Sequence, residues 1–381
     1  MTSAKRLLCI TAIIVACSSW ARAQDTAVKS AETSPAQQHA VPLSTLKIGI
    51  AGLSHDHVNG ILSDYRDGKV IIVGIAEADK QLRAKYQQKY GLPDSILFDD
   101  LKKMVIATKP HAVLGYNPVA KHIDVVEICA PLGISVMVEK PLAATLAQAK
   151  RMEFLALKYY IKLLTNYETT WYPSYQHVYN VVAKDSIGQI RKMVVHDGHQ
   201  GPKEIGCSNE FVSWLTDPEL NGGGALIDFG CYGANLMTWL MDGQKPIAVT
   251  AVARHFKLQV YPKVEDDVSI VVEYPTATGI IEASWNWPFS IKDLEVFGAK
   301  GYLHALDREN VMSRVNDTVH AGKIAQNMPS AADNPVVYLQ SVLQNRLLGI
   351  TDRSSLKYNM MVMTILDAAK RSVAEGKRIV L

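Results

Sequence analysis

Excess charge, a cysteine framework, internal repeats and a membrane-length apolar run are all missing from this 381-residue chain, and each absence removes a class of protein. Lys and Arg number 40 against 37 acids; residues 1–23 hold Lys5, Arg6 and Arg22 and no acid, so without them the balance is 37 to 37. A near-neutral chain with no basic stripe and no interleaved aromatics offers no electrostatic footprint for nucleic acid. Of five cysteines, Cys9 and Cys17 fall in the first 23 residues, leaving Cys129, Cys207 and Cys231. Three do not make a disulfide scaffold. A Cys207–Cys231 bridge stays open in an oxidising compartment, although isolated buried thiols are the expectation. No segment repeats at a fixed period. No Cys/His pair stands at metal-ligand spacing, and the "HDH" of His55–His57 sits on a loop or first helical turn, where neighbouring side chains rarely converge on one ion. No metal is expected.

The longest apolar run, "LLCITAIIVACSSW" at 7–20, is too short to span a bilayer comfortably. It follows Lys5 and Arg6 and precedes "ARA" before Gln24, the charged, apolar and small-residue order of a secretory signal. A periplasmic or otherwise exported protein is expected, with residues 1–23 removed. "IVAC" at 14–17 also reads as a lipoprotein box with a lipid anchor on Cys17; cleavage after Ala23 is the preferred reading. Residues 24–45 are polar and small, a flexible arm or linker.

From Leu46 the runs "LKIGIAG", "VIIVGIAE", "HAVLGYN" and "GISVMVEK" alternate with amphipathic stretches that end at glycine. That alternation predicts βαβ units and a parallel sheet over 46–166. Over 167–381 the pattern changes to longer strand-like runs, among them "QIRKMVVHDG", "AVTAVARHFKLQVYP", "DDVSIVVEYP" and "KDLEVFGAKGYLHAL", separated by turn residues. The fold class is therefore α/β, a dinucleotide-binding type of domain followed by an α+β domain with a large, mostly antiparallel open sheet. Helical patterns at the C-terminus are expected to pack back on the first domain.

"KIGIAGLSHDHVNGIL" opens like a phosphate-binding turn but keeps one glycine of three: Gly52 stands, and Ser54 and His57 replace the others. Glu77 ends the next strand, where a carboxylate accepts from an adenine-ribose diol and repels a 2′-phosphate, favouring NAD over NADP. "VMVEKPLA" then sets Glu139 and Lys140 at the carboxyl end of an apolar strand, with Pro141 turning the chain, so an ammonium sits at the ligand-binding edge of the sheet.

Together with "NPVAKH" at 117–122 and "GGGALIDFGCYGANL" at 222–236, these motifs resemble the Gfo/Idh/MocA family, and the resemblance runs from Leu46 to Leu381. It implies a Rossmann domain that binds NAD through Gly52, Ser54, His55, His57, Glu77, Asn117, Pro118, His122, Glu139, Lys140 and Glu168. It implies a second domain that presents a sugar, with a homo-oligomeric assembly expected. Lys140 matches the family's lysine at nicotinamide and substrate hydroxyl, Asp228 its substrate-binding acid, and Tyr232 stands where many members carry a catalytic histidine. An ammonium beside that phenol is expected to lower its pKa and let it relay a proton. Trp171 and Tyr172 offer flat faces for a sugar, equally readable as core aromatics, and His199, at a strand end leading into a loop, is a candidate substrate contact, with a satisfied loop histidine the preferred reading. "EASWNWPF" reads as sheet face more than as site.

The resulting expectation is an exported NAD(H)-dependent oxidoreductase acting on a sugar, polyol or sugar derivative, with tightly held cofactor and a redox-neutral cycle. An NAD-dependent glycoside hydrolase and a non-catalytic sugar-binding protein remain alternatives, which fold alone does not separate.

Overall fold

Six strands, β1 Lys47–Ala51, β2 Ile71–Ala76, β3 Leu97–Phe98, β4 Ala112–Gly115, β5 Ser135–Glu139 and β6 Leu163–Asn166, pair in parallel in the order β3-β2-β1-β4-β5-β6. The structure is a computed structural model that describes residues 46–316, 318–324 and 328–381; the leader, Cys17 and the arm lie outside the described residues. Strands β4 and β5 are buried at every position, because crossover helices cover both faces of a parallel sheet, and this is why they read as unbroken apolar runs. The helices carry their own punctuation. Asp79 caps Lys80–Tyr90 by accepting from Gln81 and Leu82 N–H, Gly91 at φ +65° ends it, and Thr145 caps Leu146–Lys158.

Among the described residues the second sheet has nine strands: β7 Ile190–Gly198, β8 Ala248–Arg254, β9 Asp267–Glu273, β10 Thr278–Ser284, β11 Ile291–Gly298, β12 Gly301–Ala305, β13 Asn310–Val315, β14 Thr318–Lys323 and β15 Ile379–Val380. Their order is β14-β13-β12-β11-β7-β10-β9-β8-β15. All neighbours are antiparallel except β7 and β10, whose parallel pairing brings Gly198 opposite both Ser284 of β10 and Ile291 of β11. Three strand ends therefore meet at one edge. Two expected strands are shorter than their runs. β8 stops at Arg254 because the Asp266 carboxylate takes the N–H groups of Phe256 (2.9 Å) and Lys257 (2.6 Å) into a turn, and "KDLEVFGAKGYLHAL" folds as the β11–β12 hairpin.

The core of this half is the helix Gly230–Leu240, buried along its whole length and packed on β7 and β10. Over it lies Leu356–Glu375, whose Val362, Ile365 and Leu366 are fully buried, each stabilising by about 1.5–3 kcal/mol relative to exposure. The same helix packs against Leu146–Lys158 of the first domain. Tyr167 Oη donates to Asn359 Oδ1 (2.9 Å), and buried Arg353 donates to the carbonyls of Thr169 (2.6 Å) and Thr170. Cys129, Cys207 and Cys231 are all free, so the Cys207–Cys231 bridge does not form. Among the described residues no helix is long and apolar enough to cross a membrane.

Candidate active site

At the end of β1, Gly52 has φ +82°, and a Cβ there would stand 2.7 Å from Asn117 Cβ. Only glycine fits where β1 and β4 part. Glu77 braces this turn: its Oε2 accepts from Leu53 N–H (2.8 Å) and its Oε1 from Asp79 N–H (2.9 Å). Each oxygen keeps a second lone pair. Gly52, Ser54, Glu77, Asn117 and Pro118 line a cavity of about 650 Å³ whose walls also carry Asp79, Asp99, Asp100 and Asp124. Asn117 Nδ2 donates to Lys121 O (3.0 Å), while its buried Oδ1 has no partner among the described residues.

A second cavity, of about 540 Å³, opens at the carboxyl end of β5 and under the edge where β7, β10 and β11 meet. The β5 strand end delivers Lys140. From the other side the loop Gly222–Gly224 delivers Asp228 at the end of a four-residue helical turn, Ala225–Asp228. A Cβ on Gly224 would lie 1.9 Å from Glu265 O, and the Glu265 carboxylate takes Gly224 N–H (2.7 Å) and Leu226 N–H (3.1 Å), fixing the turn. Lys140 Nζ donates to Asp228 O (2.9 Å) and to Asp228 Oδ1, and Trp285 Nε1 donates to Asp228 Oδ2 (3.0 Å). Both charged side chains are 6% exposed. Burial alone would lower the Lys140 pKa, but the Asp228 carboxylate outweighs it and holds the ammonium above the ordinary lysine value. Burial would likewise raise Asp228, and Lys140 overrides it to a lowered value.

Tyr232 lines the same cavity, with Lys140 Nζ and Lys292 Nζ each 5.0 Å from its ring centroid. The expected lowering of its pKa is not found. Burial, followed by the neighbouring Glu168 carboxylate, pushes the phenol well above its usual value, because the ammonium groups meet the ring face and are neutralised by their own carboxylates. Glu168 pairs with Lys292 and accepts from Tyr172 Oη (2.7 Å). Burial opposes its ionisation, yet Lys292 brings its pKa to about 2. Tyr172 is a cavity wall, with the Arg308 guanidinium 5.3 Å over its ring. His199 lines the cavity too; its Nδ1 accepts from Gly201 N–H (2.9 Å), and burial lowers its pKa.

His55 is buried between the glycine turn and the helix Asn209–Leu215, its ring 4.6 Å from Phe211 and 5.6 Å from Trp214, and its Nδ1 accepts from His57 N–H (3.1 Å). His57 Nδ1 meets Glu139 Oε2 (2.9 Å), whose Oε1 accepts from Asn166 Nδ2 (2.7 Å). Donor atoms of His55, His57 and Glu139 lie within 4.8 Å of one another. Glu139 Oε2 and His55 Nδ1 are hydrogen-bonded within the cluster and Glu139 Oε1 by Asn166.

Two expected site residues do not join. Trp171 is buried, bonds Asn166 Oδ1 (3.0 Å), packs on Tyr338 and does not line the Lys140 cavity; it lines a neighbouring one of about 510 Å³ that shares His57 and Glu168 with it. His122 is buried at the start of His122–Cys129, donates Nδ1 to Leu142 O (3.2 Å) and is pushed by burial to about 4; it does not line the Lys140 cavity. Trp285 and Lys292 were missed. Trp285 sits in "EASWNWPF", read above as sheet face: β10 ends at Ser284, and the next residue turns its indole onto Asp228. Lys292 and buried Asp197 are register partners on β11 and β7. Only strand pairing places Lys292 here, and no local signal marks it.

The crevice outside β1 and β4, where the strand order reverses, is where open parallel sheets take their ligands, and the acidic wall after β2 suits a ribose diol better than a 2′-phosphate. Fold and site together define a dinucleotide-binding oxidoreductase with a separate substrate sheet. The chain belongs to the Gfo/Idh/MocA family: residues 46–167 match the oxidoreductase family with NAD-binding Rossmann fold, and residues 175–304 match the GFO/IDH/MocA C-terminal domain. NAD is its cofactor. The chain is 27% identical over 237 residues to trans-1,2-dihydrobenzene-1,2-diol dehydrogenase of Xenopus laevis, a stretch covering 61% of this chain and 66%, just under two thirds, of that protein. Against the Homo sapiens enzyme of the same name it is 23% identical over 262 residues, 67% of this chain and 72% of the relative. Aldose-aldose oxidoreductase from Caulobacter crescentus, solved with glycerol, superposes with TM-score 0.74 at 21% identity, covering 88% of this chain and 99% of that one. An inositol dehydrogenase homolog from Azotobacter vinelandii, solved with NAD+, gives 0.76 at 16%, covering 89% and 98%. These two show a shared fold.

Proposed function

We propose that this protein oxidises or reduces a carbinol carbon of a sugar, polyol or sugar derivative at the cavity that holds Lys140, Asp228 and Tyr232. The observation that carries this reading is the buried Lys140–Asp228–Trp285 set at the ligand edge of both sheets, a fixed charge pair in a low-dielectric pocket where a hydroxyl is polarised without reorganisation. The names of the relatives, a diol dehydrogenase, an aldose-aldose oxidoreductase and an inositol dehydrogenase homolog, support a polyhydroxy substrate.

The turn at Gly52 that a Cβ would fill, the second lone pairs of Glu77 and the unpartnered Asn117 Oδ1 fit NAD, with Pro118 and Ser54 along the same wall. When bound, NAD supplies the hydride acceptor or donor. The chain's own residues do the rest. Lys140, kept cationic by Asp228, polarises the carbinol oxygen; Tyr232, kept protonated, donates a hydrogen bond to it; Asp228 holds the lysine and Trp285 holds Asp228.

The leader-like residues 1–23 support export, and an exported enzyme lacks a supply of fresh cofactor; the cofactor then stays bound and is restored within each cycle. Denaturing the purified protein should release near-stoichiometric nicotinamide, and turnover on paired sugars should need no added NAD. A protein that arrives empty and needs excess NAD refutes the closed cycle. Aglycone release from aryl glycosides, without net nicotinamide reduction, would instead favour the glycoside hydrolase.

A further inference from the structure

Most of the charged groups that line the Lys140 cavity are hydrogen-bonded within the protein. Lys140 and Lys292 are paired to Asp228 and Glu168, and Asp228 also holds Trp285. Glu168 is further bonded by Tyr172, and Asp307 accepts from the N–H groups of Glu309 and Asn310, each at 2.8 Å. Asp56 accepts from Ser208 N–H (2.9 Å). Tyr232 keeps its phenolic proton. In His199, Gly201 N–H occupies Nδ1, so the ring proton of the neutral form is on Nε2 and that atom is a donor.

His57 has the opposite arrangement. Its Nδ1 lies 2.9 Å from Glu139 Oε2, and a carboxylate oxygen only accepts, so the proton is on Nδ1 and the lone pair on Nε2. Among the described residues no hydrogen bond ties up Nε2, and the side chain, 39% exposed, lines the Lys140 cavity. The ring is held from behind. Glu139 is buried, Asn166 Nδ2 donates to its free oxygen (2.7 Å), and Trp171 Nε1 donates to Asn166 Oδ1 (3.0 Å). A base oriented by a buried carboxylate, itself oriented by a third group, is an arrangement that proton-abstracting sites share. The strand end that sends Lys140 to the substrate oxygen sends Glu139 to the base.

We propose that His57 is the catalytic base of this cavity, the group that takes the hydroxyl proton of the carbinol being oxidised. The inference rests on the oxidoreductase reading and deepens it. With NAD+ bound as the hydride acceptor, the carbinol C–H would leave as hydride while the O–H bond breaks, its electron pair forms the carbonyl π bond, and the proton goes to His57 Nε2. Glu139 stabilises the resulting imidazolium, which returns the proton to water from its exposed side. In reduction the same imidazolium protonates the new alkoxide.

Two measurements test this. In the cofactor-free full-length chain, 15N NMR should show neutral His57 as the Nδ1–H tautomer, and Glu139→Gln should shift it toward Nε2–H. In single-turnover hydride transfer with D-glucose and myo-inositol, His57→Ala should slow the step by a factor of about 10²–10⁴, with Glu139→Gln slower than wild type by about tenfold. Added imidazole should restore a large part of the rate to His57→Ala and nothing to Lys140→Ala. An Nε2–H tautomer in the wild type, an unslowed His57→Ala, or a slow His57→Ala deaf to imidazole overturns the proposal. A wild type that transfers no hydride to or from either sugar fails the oxidoreductase reading instead, and the tautomer measurement then still reports on the Glu139–His57 pair.

Discussion

Asp228→Asn conserves shape and removes the negative partner of a buried ammonium. In the wild type, Lys140 and Asp228 are each 6% exposed, and Trp285 takes the second carboxylate oxygen. Breaking such a pair strands a charge, at a cost of about 3–5 kcal/mol, against about 0–1 kcal/mol for a pair in water. The pH dependence carries a distinct signature. The raised pKa of Lys140 means its contribution is present below the unfolded lysine value of about 10.4 and is lost only as pH rises through the folded value; the lowered pKa of Asp228 means its contribution is present above about 3.9 and lost as pH falls. Between those limits the pair gives the wild type no slope. In Asp228→Asn, burial acts on Lys140 with its main counter-charge gone, so its pKa falls below the unfolded value. The deficit is then largest near neutral pH and narrows toward pH ~10, where the unfolded lysine also releases its proton. Urea unfolding of both proteins from pH 7 to 10, followed by near-ultraviolet circular dichroism, measures it. A deficit under about 1 kcal/mol at pH 7, or one that stays constant to pH ~10, refutes the argument.

Glu77→Ala should weaken NAD binding by calorimetry and narrow the preference over NADP, and because Glu77 also holds Leu53 and Asp79 N–H, faster amide exchange at those two residues should accompany it; unchanged affinity removes Glu77 from the cofactor site. Tyr232→Phe should slow the chemical step by a factor of roughly 10² with NAD still bound, and normal turnover would make Tyr232 structural. His122, pushed down from 6.5 to about 4, favours the neutral ring in the folded state only, so wild-type stability should fall by about 3 kcal/mol as pH drops from above 6.5 to 4 and level off below; His122→Asn should lose that part of the slope, and an unchanged slope in denaturant titrations contradicts the assignment.

The first domain was legible because its signals are local. A run such as "VMVEK" is buried on both faces, so it must be continuous and apolar, and its polar stop at Glu139 and Lys140 falls where the strand leaves the sheet. For that reason the sequence alone puts Gly52, Glu77 and Lys140 at strand ends, and "DFGCY" spaces Asp228 and Tyr232 by four residues, which the structure divides between the helical segments Ala225–Asp228 and Gly230–Leu240. The second sheet was legible as strands but not as an arrangement. That β7 pairs with β10 in parallel and with β11 on its other side is decided by which faces bury against Gly230–Leu240, and only this brings Trp285 to Asp228 and Lys292 to Tyr232 from distant stretches. Protonation was the least legible property. A lysine near a tyrosine suggests an acidic phenol until packing shows the ammonium bound to its own carboxylate and the ring buried; a histidine in "HDH" has its ring proton fixed only once Glu139, 82 residues away, sits behind its Nδ1. Residue types and strand ends are chosen locally by burial and turn geometry, whereas charge and proton position depend on distances between groups far apart in the chain, and those exist only after the two sheets have closed on one cavity.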